Sequence, residues 1–125
     1  MKRYTLIVAT LLSLLIPVQG WSADFLKGYE AYNSGDYSTA LKEWRPLAEQ
    51  GNADAQLNLG YMYTKGQGVF QDYVKAHMWN NISASNGNDA GGKNRDLIAK
   101  LMTPSQIEKA QDLARECVKK EYKGC

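Results

Sequence analysis

Residues 36–52 read DYSTALKEWRPLAEQGN, and residues 72–88 read DYVKAHMWNNISASNGN. Aligned at a spacing of 36, they are identical at six of seventeen positions. The matches are Asp36/Asp72, Tyr37/Tyr73, Ala40/Ala76, Ala48/Ala84, Gly51/Gly87 and Asn52/Asn88. Upstream the offset drops to 32, where Gly28 meets Gly60 and Tyr29 meets Tyr61. The extra residues fall within 65–71, which carries Gly66 and Gly68. A period of 20–50 residues marks stacked supersecondary units, none of which can bury its apolar face alone.

Each unit reads as a pair of helices. Tyr37, Ala40, Leu41, Trp44, Leu47 and Ala48 recur on one helical face. Gly51 ends that helix, and Pro46 inside it predicts a kink. A helix over about 53–64 contains Gly60, which costs about 1 kcal/mol of propensity relative to Ala. Close approach of a neighbouring helix explains its presence, and the expected neighbour is Ala76. The next helix covers 72–85, with Asn80 where the first unit has Trp44 and with Trp79 one step away. A third pair follows. Its first helix, 89–102, is weakened by Gly91 and Gly92 and takes Leu97, Ile98 and Leu101 as its apolar face. Its second opens with the capping sequence Thr103-Pro104-x-Gln106 and lines Ile107, Ala110, Ala114, Cys117 and Val118 along one side. No segment alternates with period two, so no sheet is expected. The fold class is all-α, an α-α solenoid of two to three helix pairs: 24–52, 53–88 and 89–125.

The chain has 125 residues, 44% apolar and 22% charged, an ordinary globular composition for one domain. Lys and Arg number 15 against 13 Asp and Glu. That balance argues against a nucleic-acid binder, which shows a basic excess. Lys2 and Arg3 precede an uncharged run over 6–16 that ends before Pro17. A charged start, a short apolar stretch and small residues beyond it describe a secretory signal peptide over 1–23, cut between Gly20 and Ala23. The run is about half the roughly 20 residues a membrane-spanning helix needs, so a permanent anchor is the weaker alternative. The expected location is the periplasm or the exterior, with no membrane span after cleavage. Losing Lys2 and Arg3 leaves the rest formally neutral.

The stretch Leu59-Gly60-Tyr61-Met62-Tyr63, then Gly66-Gln67-Gly68-Val69, then Asp72-Tyr73-Val74-Lys75-Ala76, resembles the core of a Sel1-like repeat. Trp79 and Asn86-Gly87 continue the pattern. The first unit, with its tight Asn33-Ser34-Gly35-Asp36 turn, is closer to a plain tetratricopeptide pair, and the tail from Asp89 resembles the closing segment of small secreted bacterial members. Ile82-Ser83-Ala84-Ser85 and Gly91-Gly92 depart from the family pattern. The resemblance implies a right-handed α-solenoid acting as an adaptor for other proteins. It makes Gly60, Gly66, Gly68, Asp72, Ala76, Trp79 and Gly87 structural positions.

Residues able to carry chemistry are few. His77 is the sole histidine, with no nucleophile or ligand partner evident in sequence, and reads as a surface or partly packed side chain. One His and two Cys cannot make a four-ligand zinc site, so neither metal nor cofactor is expected. Gly66-x-Gly68 is too short for a phosphate loop. Cys117 and Cys125 would lie about 12 Å apart in one continuous helix, too far to bond. A fold-back at Gly124 brings them together, and export makes oxidation available. A disulfide is therefore expected, and two redox-active free thiols are the alternative.

Tyr29, Asn58, Tyr61 and Lys65 lie off the main apolar faces, on the first helix of each pair, which lines the concave side of tetratricopeptide-like solenoids. Tyr and Asn give contact area and hydrogen bonds at low entropy cost. These four are candidate partner-binding residues in a neutral groove, and packing between units is the alternative. The expected function is an exported, non-enzymatic adaptor in the bacterial envelope, binding a protein or peptide. The alternative is a cell-wall enzyme, penicillin-binding or β-lactamase-like, although the chain lacks the repeated Cys pairs of such relatives and any Ser-Lys motif.

Overall fold

The aligned Asp and Asn residues of the repeat are helix starts. Six helices make up the computed structural model, which describes residues 23–125: α1 (Phe25–Asn33), α2 (Tyr37–Glu49), α3 (Ala53–Lys65), α4 (Tyr73–Ser85), α5 (Asp89–Ala99) and α6 (Pro104–Lys119). The leader expected at 1–23 lies, but for its last residue, outside the described residues. Asp36 accepts from the Thr39 amide at the head of α2, and Asp72 accepts from the Lys75 amide at the head of α4. Asn52 and Asn88 do the same for α3 and α5, through Ala55 and Ala90. Asp24 caps α1 through Lys27, and the Thr103–Gln106 capping box opens α6. Each cap satisfies an orphan amide and contributes about 1 kcal/mol. Its hydrogen bonds from Thr39 hold the Asp36 carboxyl below its ordinary range.

The chain forms an all-α solenoid, with no strand among the described residues. Packing runs in sequence, α1 on α2, α2 on α3, α3 on α4 and α4 on α5, and α6 closes back onto α4. The core holds Trp44, Leu59, Met62, Met78, Trp79 and Ile82. Polar ties stitch the units together. Gln56 donates to the Ala48 carbonyl at 3.0 Å, and Ser83 donates to the Ala53 carbonyl at 2.7 Å. α2 runs through Pro46 without interruption.

Three expectations are corrected. The atoms nearest a β-carbon on Gly60 belong to Asn80 and not to the expected Ala76. Gly60 lies under Asn80, one turn further along α4, whose Nδ2 donates to the Ala76 carbonyl at 2.8 Å. α5 ends at Ala99, and 100–102 turn through shorter-range bonds into the Thr103 cap. Its core residues are Gly91, Ile98 and, just beyond, Met102, whereas Leu97 and Leu101 are 59% and 64% exposed. A short helix with apolar residues on both sides offers periodicity two answers, and α4 selects the face where Gly91 lets the backbones meet. Finally, His77 is buried, because α4 is walled by α3, α5 and α6. At the end of α6 Val118 is half exposed, while Ala110, Ala114 and Cys117 are buried.

Candidate protein-binding surface

The hollow between α1 and α3 is built from side chains one turn apart on each helix. Tyr29, Tyr32 and Asn33 come from α1, Asn58 and Tyr61 from α3, and the edge of Trp44 forms the floor, enclosing about 230 Å³. Tyr29 is 51% and Tyr61 44% exposed. Tyr32 organises the wall. Its ring centroid lies 5.6 Å from Trp44, 5.3 Å from Tyr37 and 6.4 Å, edge-on, from Tyr61. Its hydroxyl donates to Gln67 at 2.7 Å, and the Gln67 amide donates to the Tyr37 hydroxyl at 3.3 Å. Burial raises the Tyr32 pKa above the phenol value, and Tyr61 and Tyr37 add to the shift while the Gln67 bond opposes it. Trp44 is fixed by donation to the Phe25 carbonyl at 3.1 Å. Every residue lining the hollow is uncharged.

Of the four candidate residues, Tyr29, Asn58 and Tyr61 share this hollow, and Lys65 does not line it. The Lys65 ammonium lies 5.7 Å over the Tyr61 ring. It borders a second hollow of about 180 Å³ between α3 and α5, where Tyr61 meets Asn94 and Leu97. Sequence reasoning missed Tyr32, Asn33 and Asn94. Tyr32 and Asn33 lie three and four residues after Tyr29, and that spacing was the available signal.

The structural positions take these places. Gly66 ends α3 in the left-handed region, and Gly68 has φ of +70° with its α-carbon against the Tyr37 backbone, a contact a side chain would obstruct. Trp79 and Ala76 are buried, Asp72 caps α4, and Gly87 lies in the turn before Asn88.

Cys117 and Cys125 form a disulfide. The turn it closes holds Tyr122 in the left-handed region, with its amide bonded to the Cys117 carbonyl at 2.9 Å. The Tyr122 hydroxyl donates to Asn86 Oδ1 at 3.2 Å, and Asn86 Nδ2 donates to Gln56 Oε1 at 2.9 Å. The tail is thereby tied through Gln56 to the end of α2. A shallow cleft of about 580 Å³ separates α4 from α6, lined among others by Asn81, Gln111 and Arg115. His77 has its pKa lowered by burial and by Arg95, with Asp96 opposing. Among the described residues, no group of three acidic, His or Cys side chains is placed to hold a metal. Among the same residues, no helix is long and apolar enough to cross a membrane.

Residues 53–88, which span α3, the Gly66–Gly68 loop and α4, match the Sel1 repeat family. The chain is also similar to the crystal structure of c5321, a protective antigen present in uropathogenic Escherichia coli strains displaying an SLR fold. The TM-score is 0.71 and the identity 31%, over 78% of this chain and 23% of that one. Residues 53–88 are a Sel1-like repeat. The chain spans less than a quarter of the length of the solved structure it resembles. No curated protein matches it. Sel1 repeats generally mediate protein–protein contact and are typically non-enzymatic scaffolds. The matched segment supplies α3, the wall common to both hollows.

Proposed function

We propose that the protein is an exported, non-enzymatic adaptor that holds a segment of another protein against α1 and α3. The observation that carries this reading is the hollow itself. Two half-exposed tyrosines at equivalent repeat positions flank it, an uncharged amide stands on each helix, and a buried Trp forms the floor. Its volume of about 230 Å³ is below the roughly 300–1,000 Å³ of small-molecule sites, which suits a side chain of a protein segment. Tyr29, Asn58 and Tyr61 supply area and hydrogen bonds, and the Lys65 ammonium lies over the Tyr61 ring. Export is supported by the leader pattern at 1–23 and by the Cys117–Cys125 bond, which persists in oxidising compartments.

Capture from envelope extract tests the reading. The double change Tyr61→Ala, Asn58→Ala is expected to lose the partners held by the unaltered protein while keeping its helical circular dichroism. Capture that survives this change but is lost with Phe70→Ser would move recognition to the inter-helix loop, where Phe70 is almost fully exposed. N-terminal sequencing of envelope material should begin between residues 21 and 24, and retention of Met1 would refute cleavage.

A further inference from the structure

The repeat offsets that align Tyr29 with Tyr61 continue into the third pair and reach residues that the Sel1 match does not cover. Offsets of 32 and then 36 generate three rows across α1, α3 and α5 with the turn that follows it. The first is Leu26, Asn58, Asn94. The second is Tyr29, Tyr61, Leu97. The third is Asn33, Lys65, Leu101. None of the nine is buried, and the five apolar or aromatic ones are all exposed. The α3–α5 hollow joins Tyr61 to Asn94 and Leu97, so the rows are physically continuous from one helix to the next. Leu97 and Leu101, misread from periodicity as core, are thus the third rung of the surface that begins at Tyr29.

Charge is distributed unevenly along it. The α1–α3 end is lined only by uncharged groups. At the α5 end, Leu97 is bracketed by Lys93, four residues before it on α5, and by Lys100, three residues after it at the helix C-cap, both exposed, and Lys65 borders the same hollow from α3. None of these lysines pairs with a carboxylate among the described residues. Asp96 is engaged with Arg95 and Asp54 with the Asn88 amide, and Asp89, one turn before Lys93, makes no ion pair with it.

We infer that the groove extends onto α5 and takes an extended polypeptide segment with apolar side chains along its length and acidic side chains at the end that lies over α5. The inference rests on the adaptor reading and adds the length and chemistry of the occupant. A segment that touches α1, α3 and α5 in turn must be extended, since extended chain advances about 3.3 Å per residue against about 1.5 Å in a helix. The two hollows between the helices suit single inserted side chains of such a segment. Asn33, Asn58 and Asn94 offer an amide on each rung for the backbone of such a segment.

Selection of random peptides of about twelve residues on the immobilised protein, followed by anisotropy titration of the selected peptides with both ends blocked, tests this. The selected sequences should combine apolar residues with Asp or Glu. Leu97→Ser with Leu101→Ser should weaken binding at least tenfold at an unchanged melting temperature. Lys65→Gln, Lys93→Gln and Lys100→Gln together should abolish most of the salt dependence. If the α5 variant binds normally while Tyr61→Ala does not, the extension is overturned and the adaptor reading stands. If both bind normally, both fall. A selection that returns no binder, or binders without acidic residues, also overturns the inference. Two further outcomes would do so by revealing another occupant. One is a dimer that the α5 variant converts to monomer in sedimentation. The other is co-sedimentation with phosphatidylglycerol vesicles that the variant abolishes.

Discussion

Asn80 sits directly over Gly60: a β-carbon on Gly60 would come within 2.4 Å of the Asn80 Nδ2 and 2.8 Å of its Cγ. The first unit repeats the arrangement with different residues. There Gly28 lies under Trp44, and a β-carbon would meet the indole at 2.5 Å. Glycine on the first helix of a unit makes room for one large or polar side chain on the second. Asn80 is completely buried and anchored to the Ala76 carbonyl, so it has little freedom to yield.

Gly60→Ala should therefore destabilise the protein by about 1–3 kcal/mol from overpacking, against a propensity gain of about 1 kcal/mol. The melting temperature should fall by several degrees. Asn80→Ala in the same chain should recover part of the loss, because the two residues are in direct contact and their effects are coupled. A Gly60→Ala chain that melts higher than the unaltered protein would place Gly60 outside the interface.

The 36-residue identities were legible because they do local work. Asp36, Asp72, Asn52 and Asn88 are N-caps, and their side chains bond amides within three residues. Such signals survive in sequence whatever surrounds them. What sequence did not show depended on neighbours. α4 reads as poor in apolar residues, yet three helices enclose it, so His77, Asn80 and Ser83 are buried alongside Trp79 and Ile82. The stripe Leu97–Leu101 carries a stronger apolar signal than Gly91–Ile98–Met102, yet the second is the one that packs. Of the candidate surface, Tyr29, Asn58 and Tyr61 came from a repeat offset, whereas the floor formed by Trp44 and the Tyr32–Gln67 bond required the fold.

Opening the disulfide should loosen the clasp at Tyr122. Cys125→Ser is expected to cost about 2.5 kcal/mol in the chain-entropy picture for so short a loop. Tyr122→Phe, which keeps the ring beside Gly51 but removes the bond to Asn86, should cost only about 0.5–1.5 kcal/mol. Urea unfolding of the two variants measures both. Intact protein should be lighter than its reduced form by two hydrogens and should resist alkylation until reduced.

His77 gives stability a pH dependence with a definite sign. Burial, aided by Arg95, lowers its pKa below the 6.5 of the unfolded chain. Between the folded value and 6.5, the unfolded state binds a proton that the folded state does not, so stability falls as pH drops. The contribution is fully present above 6.5 and is lost progressively below it, down to the folded pKa. With a single His in the chain, no other side chain has its ordinary pKa in that window. Melting temperatures should decline from pH about 7 to about 5.5, and His77→Gln should flatten that slope. An unchanged slope in the variant would assign it to other groups.

Gly91 and Gly92 share one propensity penalty and should respond oppositely to the same substitution. A β-carbon on Gly91 would lie 2.6 Å from the Asn80 carbonyl oxygen and 2.9 Å from the Ala84 amide nitrogen, both backbone atoms of α4. Backbone cannot rotate aside as a side chain can, so relief requires moving α5 bodily away from α4. On Gly92 the nearest atoms are the Ala84 β-carbon at 3.7 Å and an Arg95 nitrogen at 3.8 Å, ordinary contact distances. Gly92→Ala should therefore gain about 0.5–1 kcal/mol from helix propensity and reduced unfolded-state freedom. Gly91→Ala should lose more than Gly60→Ala, where the obstacle is a side chain. Parallel thermal unfolding of the three variants checks the order. A Gly91→Ala chain as stable as Gly92→Ala would mean that α5 does not pack on α4 through Gly91, and the exposed placement of Leu97 and Leu101 would fall with it.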